Sequence, residues 1–377
     1  MTDRLRVGFW RTRLLAGSET FIRLQAKTLQ QGTTDVDTFG FAPLRSSLAS
    51  DRDLFPFRGY NFSRAMLRAF QITRRSRRLE RLLRKRRPDV MHAHFALDAG
   101  LITPTLRRLG IPLVVSVYGY DVTRTASDPR QAEKEAARLR EAFDYATTIT
   151  ANSAFMRESA IARGADPDKV EVVHLGVEMR EDAVPSPQEE RRGVLFVGRF
   201  TEKKGVDDLI EAMSLLPAEL RDTELTVIGD GETRESLERR AREHGLNARF
   251  LGSQPHSVVQ EEVARTMILA APSKTASDGD SEGLPTIILE AAQMGVPVVS
   301  TYHSGIPEAV ADGRTGMLVQ EKDPKAFAAA LAQLLSDPAR AWSMGQQGRA
   351  LIREEFDIGL CARRLETIYA RAVGERR

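Results

Sequence analysis

The chain has 377 residues, of which 42% are hydrophobic and 28% charged, with a formal net charge of +3 at pH 7. At roughly 150 residues per domain, this length predicts two or three domains, and the composition excludes disordered, collagenous and fibrous proteins. No apolar run approaches the ~20 residues of a membrane-spanning helix. The single cysteine, Cys361, and a start that enters a strand-like segment without a signal-peptide pattern predict a cytoplasmic protein.

Short β-rich runs alternate with helical patterns along nearly the whole chain. The predicted strands are 5–9, 36–41, 90–93, 113–117, 147–151 and 170–173 in the first half, and 194–197, 225–228, 249–251, 267–271, 298–301 and 317–319 in the second. Helical periodicity is clear over 131–143, 206–216, 234–244 and 325–335. This alternation predicts an α/β protein with two doubly wound, Rossmann-like parallel sheets, whose ligands bind beyond the carboxyl ends of the strands.

A segment rich in proline, serine and charge separates the two halves. It covers residues 182–192 and is predicted to be an exposed linker. We therefore expect a first domain over 1–182, a second over 183–355, and a C-terminal helix within 356–377 that packs back on the first domain. Two doubly wound domains facing each other would place a cleft between the carboxyl ends of their strands.

Positive charge is concentrated in residues 64–87, where ten arginines and Lys85 stand against the single acid Glu80. The pattern predicts one amphipathic helix that Ser63 caps and Pro88 ends. Its apolar face would consist of Ala65, Met66, Ala69, Phe70, Ile72, Leu79, Leu82 and Leu83. This helix could lie on an anionic membrane surface, or pack its apolar face on the first sheet with solvated arginines. Because the basicity is local, a nucleic-acid partner is not expected.

In the second half, the segment VLFVGRFTEKKG over 194–205 combines a buried strand with a loop that carries Arg199 and Lys204. Two cations beyond the carboxyl end of a strand suit a bound diphosphate. A pair of solvated surface charges is the alternative interpretation of the same residues.

A second motif is SDGDSEGLPTIILEAAQMGVPVVS over 277–300. Pro285 suits the first turn of a helix that runs to about Met294, and the amides at the start of this helix would point at an anion. Glu282 precedes the helix and Glu290 lies within it, and eight helical residues rise about 12 Å. Paired carboxylates that act on one glycosidic bond lie ~5–9.5 Å apart, so the two are better suited to the two ends of a nucleotide sugar. For Glu290 alone, an exposed helix charge is the alternative.

Together, GRF…KKG, VIGDG over 227–231, FLG over 250–252, EGLPTIILE and GVPVVST resemble the retaining glycosyltransferases of family 4, which have the GT-B fold. The resemblance covers nearly the whole chain. In the first half, SETFIRLQAKTL, VMHAHFALDAG, SVYGYDVTR, ITANSAFMRE and VVHLGVEM are similar to enzymes that build bacterial exopolysaccharides such as colanic acid or amylovoran. This resemblance implies transfer of a sugar from a UDP- or GDP-sugar to a glycan or polyprenyl-linked acceptor, without a cofactor.

The resemblance also implies roles for the charged residues. Arg199 and Lys204 would hold the donor diphosphate and stabilise its charge while the leaving phosphate oxygen takes the acceptor's proton. Glu290 would bind the ribose hydroxyls, and Glu282 the sugar hydroxyls opposite the reacting carbon. A membrane-docked basic helix would hold such an enzyme at the inner face of the plasma membrane, where a polyprenyl-linked acceptor would be found.

Further donor contacts are implied around these charges. Gln254 would read the base. Gly17 would allow the backbone to approach the phosphates, although this chain has LAGSE where the family commonly has two glycines. The distal phosphate would be cradled by backbone groups of Gly283, Leu284, Pro285 and Thr286.

One departure from the family lies in the first half. Many relatives have histidine at the position of Tyr118, where it contacts the donor sugar, and tyrosine stays neutral near pH 7. His94 is the nearest alternative, as an acceptor-side contact at the end of a predicted strand, whereas His92 is expected to be packed. Asp121 could bind acceptor hydroxyls.

No metal is expected, although Asp278-Gly279-Asp280 superficially matches the Asp-x-Asp motif by which GT-A enzymes hold a divalent ion. Arg199, Lys204 and a helix amino terminus would already supply positive charge to the diphosphate. VIGDG lacks the GxGxxG spacing, which disfavours a nicotinamide dehydrogenase. The alternatives are a phosphorylase or nucleotide-sugar epimerase of the same fold, and a non-enzymatic binding module that uses the basic helix.

Overall fold

The computed structural model describes residues 4–14, 19–44, 46, 48–57, 59–179 and 188–374. Within these ranges, twelve strands form two six-stranded parallel sheets. The strands are β1 (Leu5–Leu14), β2 (Thr34–Pro43), β3 (Val90–His94), β4 (Leu113–Val117), β5 (Thr148–Ala151), β6 (Val170–Val172), β7 (Arg192–Val197), β8 (Leu225–Ile228), β9 (Ala248–Gly252), β10 (Thr266–Ala271), β11 (Val298–Thr301) and β12 (Gly316–Val319). The predicted strands and the doubly wound α/β class are confirmed.

Helices cover both sheets, and several begin at a signal visible in the sequence. The helices are α1 (Thr20–Gln31), α2 (Tyr60–Thr73), α3 (Arg77–Arg86), α4 (Ala96–Leu109), α5 (Tyr120–Thr123), α6 (Pro129–Tyr145), α7 (Ala154–Ala162), α8 (Val206–Ser214), α9 (Arg234–Glu243), α10 (His256–Arg265), α11 (Thr286–Gln293), α12 (Ile306–Ala309), α13 (Pro324–Ser336), α14 (Pro338–Glu355) and α15 (Ile358–Gly374). An Asp-Pro pair starts α6, α13 and α14, because the aspartate side chain accepts a hydrogen bond from a first-turn amide and proline fits the first helical position.

The chain divides into two compact units. Unit 1 is Met1–Glu178 with Ile358–Arg377, and unit 2 is Met179–Asp357. The strand order is β2-β1-β3-β4-β5-β6 in unit 1 and β12-β11-β10-β7-β8-β9 in unit 2. The order therefore reverses between β1 and β3 in the first sheet and between β7 and β10 in the second. Such a switch point is where doubly wound sheets bind ligands.

The last helix completes the core of unit 1. α15 packs on α1 and buries Leu365, Ile368 and Tyr369 among residues of β1, β3 and α1. The Tyr369 hydroxyl lies 2.6 Å from His92 Nδ1, and His92 Nε2 lies 2.6 Å from Ser116 Oγ. Burial lowers the pKa of His92 to about 3, so this histidine is a neutral core residue, as its sequence position predicts.

The basic segment forms two helices, α2 and α3, so the prediction of one continuous helix is wrong. Arg74 ends α2 in the left-handed conformation, with φ of 53°. The Ser76 hydroxyl then caps α3 by accepting a hydrogen bond from the Leu79 amide at 3.3 Å. Ser63 is not the cap, because it lies inside α2, is fully buried, and donates to a backbone carbonyl of the preceding loop.

The apolar face predicted for this segment is also partly wrong. Leu67, Phe70, Leu79 and Leu83 are buried in the core of unit 1. Because α2 turns the side that carries Leu67 and Phe70 to the core, other predicted members of the face on the same helix lie on its outward side. The exposed ones are Ala65, Ala69 and Ile72.

The two remaining predictions concern the chain between and after the domains. Residues 182–187 of the predicted linker lie outside the described ranges. Its described part is the short turn Gln188–Glu190, then Arg191, which is buried, and Arg192, which begins β7, so the prediction of an exposed linker is wrong at this end. The helix predicted from Phe356 begins instead at Ile358. None of the helices in the described ranges is both long enough and apolar enough to span a bilayer.

Candidate active site

The loop after β7 carries the GRF and KKG motifs and lies at the switch point of unit 2. Its backbone is bonded to the loop after β8: the Gly198 amide donates to the Ile228 carbonyl and the Phe200 amide to the Asp230 carbonyl, both at 2.9 Å. Gly229 has a φ of 143°, and a Cβ there would lie 1.8 Å from the Gly198 carbonyl oxygen. The VIGDG motif therefore supports the cationic loop and needs glycine for this close approach.

Gly205 ends the same loop and brings it against the loop after β10. Its φ is 65°, and a Cβ would lie 1.9 Å from the carbonyl oxygen of Pro272. The Lys274 amide donates to the Lys203 carbonyl across the same contact at 2.9 Å. A side chain at Gly205 would separate the two loops, and the charged residues of both loops depend on this contact for their proximity.

Two lysines from the first loop converge on Glu282 from the second. Lys204 Nζ lies 3.2 Å from Glu282 Oε2, and Lys203 Nζ lies 3.4 Å from Glu282 Oε1. Burial alone would raise the pKa of Glu282, but Lys204 and Lys203 outweigh burial and lower it to about 2. Glu282 is therefore an ionised carboxylate, able to accept hydrogen bonds from hydroxyl groups.

Lys203 is a member of this cluster that the sequence pattern does not single out. It is 7% exposed and also pairs with Asp280 Oδ1 at 3.0 Å. The only signal for it is the lysine doublet before Gly205, in which Lys204 carries the family resemblance. Arg199, by contrast, is exposed and makes no side-chain hydrogen bond or ion pair with the residues that the structure describes. Its guanidinium is available to an anionic ligand.

The second predicted carboxylate, Glu290, lies on α11. Its side chain is 22% exposed, and Oε2 is 3.9 Å from Nδ1 of His256, the first residue of α10. Nothing in the sequence pattern alone brings His256 to this position. Since α10 follows β9 and α11 follows β10, the fold rather than any local motif creates the pair.

The start of α11 faces the same loop region as Glu282. Pro285 is the N-cap rather than the first helical residue, and α11 begins at Thr286. The first amides of a helix have no acceptor within the helix, and they carry its positive dipole end. Gly283, Leu284 and Pro285 directly precede Thr286, the first residue of α11, and the role of all four in binding a phosphate stays a prediction.

The two aspartates of the Asp-x-Asp sequence are engaged with the protein itself. Asp278 Oδ1 accepts a hydrogen bond from the Asp280 amide at 3.0 Å. Asp280 Oδ1 in turn accepts a hydrogen bond from the Lys203 ammonium group. Lys203 thus neutralises Asp280, and independence from a metal stays a prediction.

Two other predicted donor contacts have different outcomes. Gln254 lies in the loop after β9, where its amide donates to the Leu251 carbonyl at 2.5 Å. A role in reading the base stays a prediction. Gly17 lies outside the described residues.

In unit 1, the buried His94 at the end of β3 and the half-buried Tyr118 after β4 form a pair. His94 Nδ1 lies 2.7 Å from the Tyr118 hydroxyl, and Nε2 has no hydrogen-bond partner among the described residues. Burial, together with His92 and Arg11, lowers the pKa of His94 well below its ordinary value. Burial likewise raises the pKa of Tyr118. Both side chains are therefore neutral, and their contact with an acceptor or a donor sugar stays a prediction.

Asp121 shapes the loop around this pair. Its Oδ1 accepts hydrogen bonds from the amides of Tyr118 and Gly119 at 3.2 and 3.0 Å, and its Oδ2 accepts one from Ala96 at 2.8 Å. Asp121 is 1% exposed, and burial raises its pKa to about 6 against the opposing effect of these amides. The observed contacts are structural, and the predicted contact with acceptor hydroxyls stays a prediction.

Known proteins resemble both halves of the chain. Residues 16–176 match the model of a glycosyl transferase 4-like domain, and residues 178–351 match that of the glycosyl transferases group 1. The chain is 31% identical over 294 residues to the amylovoran biosynthesis glycosyltransferase AmsK of Erwinia amylovora, covering 75% of this chain and 70% of AmsK. It is 28% identical over 302 residues to a GDP-mannose-dependent monoacylated alpha-(1-6)-phosphatidylinositol monomannoside mannosyltransferase of Corynebacterium glutamicum, covering 76% and 77%.

Solved structures share the fold at lower identity. Anabaena HepE, crystallised with UDP and glucose, has a TM-score of 0.72 and 16% identity, covering 97% of this chain and 99% of HepE. Sucrose-phosphate synthase of Thermosynechococcus elongatus has a TM-score of 0.74 and 18% identity, covering 99% and 100%. Together with the two sheets and their switch points, these matches show that the chain belongs to the family-4 type of group 1 glycosyltransferases and has the GT-B fold.

Proposed function

We propose that the chain transfers a sugar from a UDP- or GDP-sugar, with retention of anomeric configuration, to a glycan or lipid-linked acceptor in cell-surface polysaccharide or glycoconjugate synthesis. The observation that carries this proposal is the cluster of Lys203, Lys204 and Glu282 beside the start of α11, at the switch point of unit 2. AmsK bears the name of an exopolysaccharide enzyme, and HepE binds UDP and glucose. Both fit this reaction.

The residues of unit 2 suit the charge changes of a same-face transfer. The bond from the sugar's anomeric carbon to the donor phosphate oxygen breaks, and a bond from the acceptor oxygen forms on the same face. The leaving phosphate oxygen takes the acceptor's proton while Arg199 and Lys204 stabilise its negative charge. Ionised Glu282 accepts hydrogen bonds from the sugar hydroxyls, and Glu290 holds the ribose. No side chain acts as a covalent nucleophile in this scheme.

Residues of unit 1 complete the proposal on the acceptor side. His94 and Tyr118 stay neutral, so the pair provides hydrogen bonds to sugar hydroxyls rather than a proton shuttle. Asp121 accepts a hydrogen bond from the Tyr118 amide, and in this proposal its carboxylate also binds acceptor hydroxyls.

A nucleotide screen tests the donor class. We expect one of UDP or GDP, and one of its sugars, to raise the melting temperature, because a ligand that binds only the native state stabilises it by about 2.7 kcal/mol at 100 times its Kd. The same sugar nucleotide should be slowly hydrolysed, and the first anomer released, read by NMR, should match that of the donor. Absence of any shift with all the nucleotides and sugars would contradict the proposal.

A chelator arm in the same assay tests the proposed independence from metals. Hydrolysis should persist in excess EDTA, because lysine and arginine side chains neutralise the diphosphate. Complete loss that manganese restores would return Asp278 and Asp280 to consideration as metal ligands.

We also propose that α2 and α3 dock the enzyme on the anionic cytoplasmic face of the plasma membrane, where a lipid-linked acceptor lies. α2 exposes Phe62 by 53% and Ile72 by 81%, and the exposed Ala65 and Ala69 complete a stripe at helical spacing. Cations surround this stripe and continue along α3. The exposed ones are Arg64, Arg68, Arg75, Arg77, Arg78, Arg81, Arg84, Lys85, Arg86 and Arg87. Each cation near an anionic leaflet contributes about 1 kcal/mol, and the apolar side chains can enter the headgroup boundary.

Vesicle flotation tests this surface. We expect the protein to float with vesicles that contain anionic lipid at low salt, and to be released at high salt, because the attraction between exposed charges is screened. Phe62→Ser with Ile72→Ser should weaken flotation, whereas Leu215→Ser, a control at an exposed apolar position of unit 2, should not. If the protein floats with neither neutral nor anionic vesicles at low salt, the membrane proposal is contradicted. The arginines of α2 and α3 are then solvated surface charges.

A further inference from the structure

His303 is a buried histidine that lies between two loops of unit 2. It follows β11, is 1% exposed, and its Nδ1 is 2.5 Å from Glu321 Oε1. Its other nitrogen, Nε2, accepts a hydrogen bond from the Glu282 amide at 3.1 Å. A peptide N–H can only donate, so this network assigns the proton to Nδ1, which donates it to Glu321.

Glu321 keeps this tautomer in place. Besides His303 it accepts a hydrogen bond from the Thr275 amide at 2.8 Å. Burial would raise the pKa of Glu321, but the Thr275 amide and His303 outweigh burial and lower it. An ionised carboxylate can only accept, so the ring nitrogen that faces it must carry the hydrogen.

Ser304 and Gly305, which follow His303, bind the carbonyl groups of the same segment, Glu282 and Gly283. Ser304 has a φ of 51°, and its hydroxyl donates to the carbonyl oxygens of Glu282 and Gly283. The Gly305 amide donates to the Gly283 carbonyl at 2.9 Å. A non-glycine residue in the left-handed region is strained, and such strain is retained where the surroundings require it. Residues 303–305 thus bind both the amide and the carbonyl of Glu282.

We propose that His303, oriented by Glu321, is a positioning residue that fixes the Glu282 peptide and so aims the Glu282 carboxylate at its ligand. This inference rests on the proposed role of Glu282 in binding the donor sugar. His303 acts only through Glu282 and touches no reacting atom.

Two substitutions separate positioning from packing. In His303→Gln the longer amide can place its oxygen where Nε2 lies and accept the Glu282 N–H. In His303→Asn the shorter amide can keep the donor to Glu321 but leaves the Glu282 N–H without an acceptor. We expect His303→Asn to reduce kcat/KM for the donor about tenfold or more, the usual scale for a buried donor left unpaired, with the acceptor KM little changed. His303→Gln should recover most of this loss, and His244→Asn, at an exposed histidine of unit 2, should have no effect.

Equal loss of activity in His303→Gln and His303→Asn would indicate packing alone and overturn the proposal. Hydrogen exchange of the Glu282 amide in the ligand-free protein supplies a second, activity-independent reading. Exchange should be faster in His303→Asn than in wild type and close to wild type in His303→Gln, and identical rates in all three proteins would also overturn the proposal. A wild-type protein without nucleotide binding would refute the donor-sugar function, while the exchange rates would still decide whether His303 positions Glu282.

Discussion

Replacing Glu290 by alanine is expected to abolish donor binding while the protein stays folded. Its carboxylate is partly exposed, and the His256 ring that lies 3.9 Å away is itself 51% exposed, so its removal should cost the fold little stability. Losing charge-assisted hydrogen bonds to two ribose hydroxyls should weaken donor affinity by about 10²-fold or more. Titration calorimetry with the nucleotide that stabilises the wild-type protein would measure the loss.

Two variants make the Glu290 result specific. Glu261→Ala removes an exposed carboxylate from the neighbouring helix α10 and should bind the donor normally. Glu290→Gln keeps one acceptor oxygen and should fall between the alanine variant and wild type. Wild-type affinity in Glu290→Ala would sink the assignment of the ribose contact.

Removing both Arg199 and Lys204 is expected to reduce sugar transfer by about 10²-fold or more, because the leaving diphosphate loses two groups that stabilise its charge. The fold should survive. Arg199 is exposed, and Glu282 keeps Lys203 as a partner at 3.4 Å when Lys204 is absent. The rate constant of transfer or of donor hydrolysis, measured at saturating donor, would check this.

The charge-matched control is Arg314→Ala with Lys325→Ala, both exposed in unit 2 and remote in sequence from the cationic loop. It should retain full activity at the same ionic strength. Lys203→Ala is expected to behave differently from Lys204→Ala, because Lys203 is buried between Asp280 and Glu282 and its loss destabilises the fold. Full activity in the double variant lacking Arg199 and Lys204 would refute the proposed diphosphate contact.

The sequence predicts the strands well because a buried parallel strand is a short apolar run, and such a run can be recognised without knowing which elements pack against it. It predicts the basic segment poorly. No glycine or proline marks the break between α2 and α3 at Arg74. Arg74 adopts the left-handed conformation there because of how the two helices pack their side chains into the core. The helical periodicity of the sequence therefore runs on through Arg74, although the helix itself ends there.

The same limit applies to the site. The resemblance supplies Arg199, Lys204, Glu282 and Glu290, each of which stands in a recognisable motif. Lys203 and His303 belong to the site through contacts between loops that follow different strands. The order of the strands in the sheet decides which loops lie next to each other. A local sequence motif therefore does not show that these two residues contact Glu282.

The packing of α15 on α1 has a consequence for how the protein is made. Unit 2 lies wholly within one continuous stretch of chain, and it can finish its core as soon as that stretch has left the ribosome. Unit 1 begins before unit 2 in the chain but lacks Leu365, Ile368 and Tyr369 until α15, which follows unit 2, has been synthesised. During translation its early part carries an apolar surface on α1 and β1, which α15 covers later. The first unit to be synthesised is therefore the last to be completed.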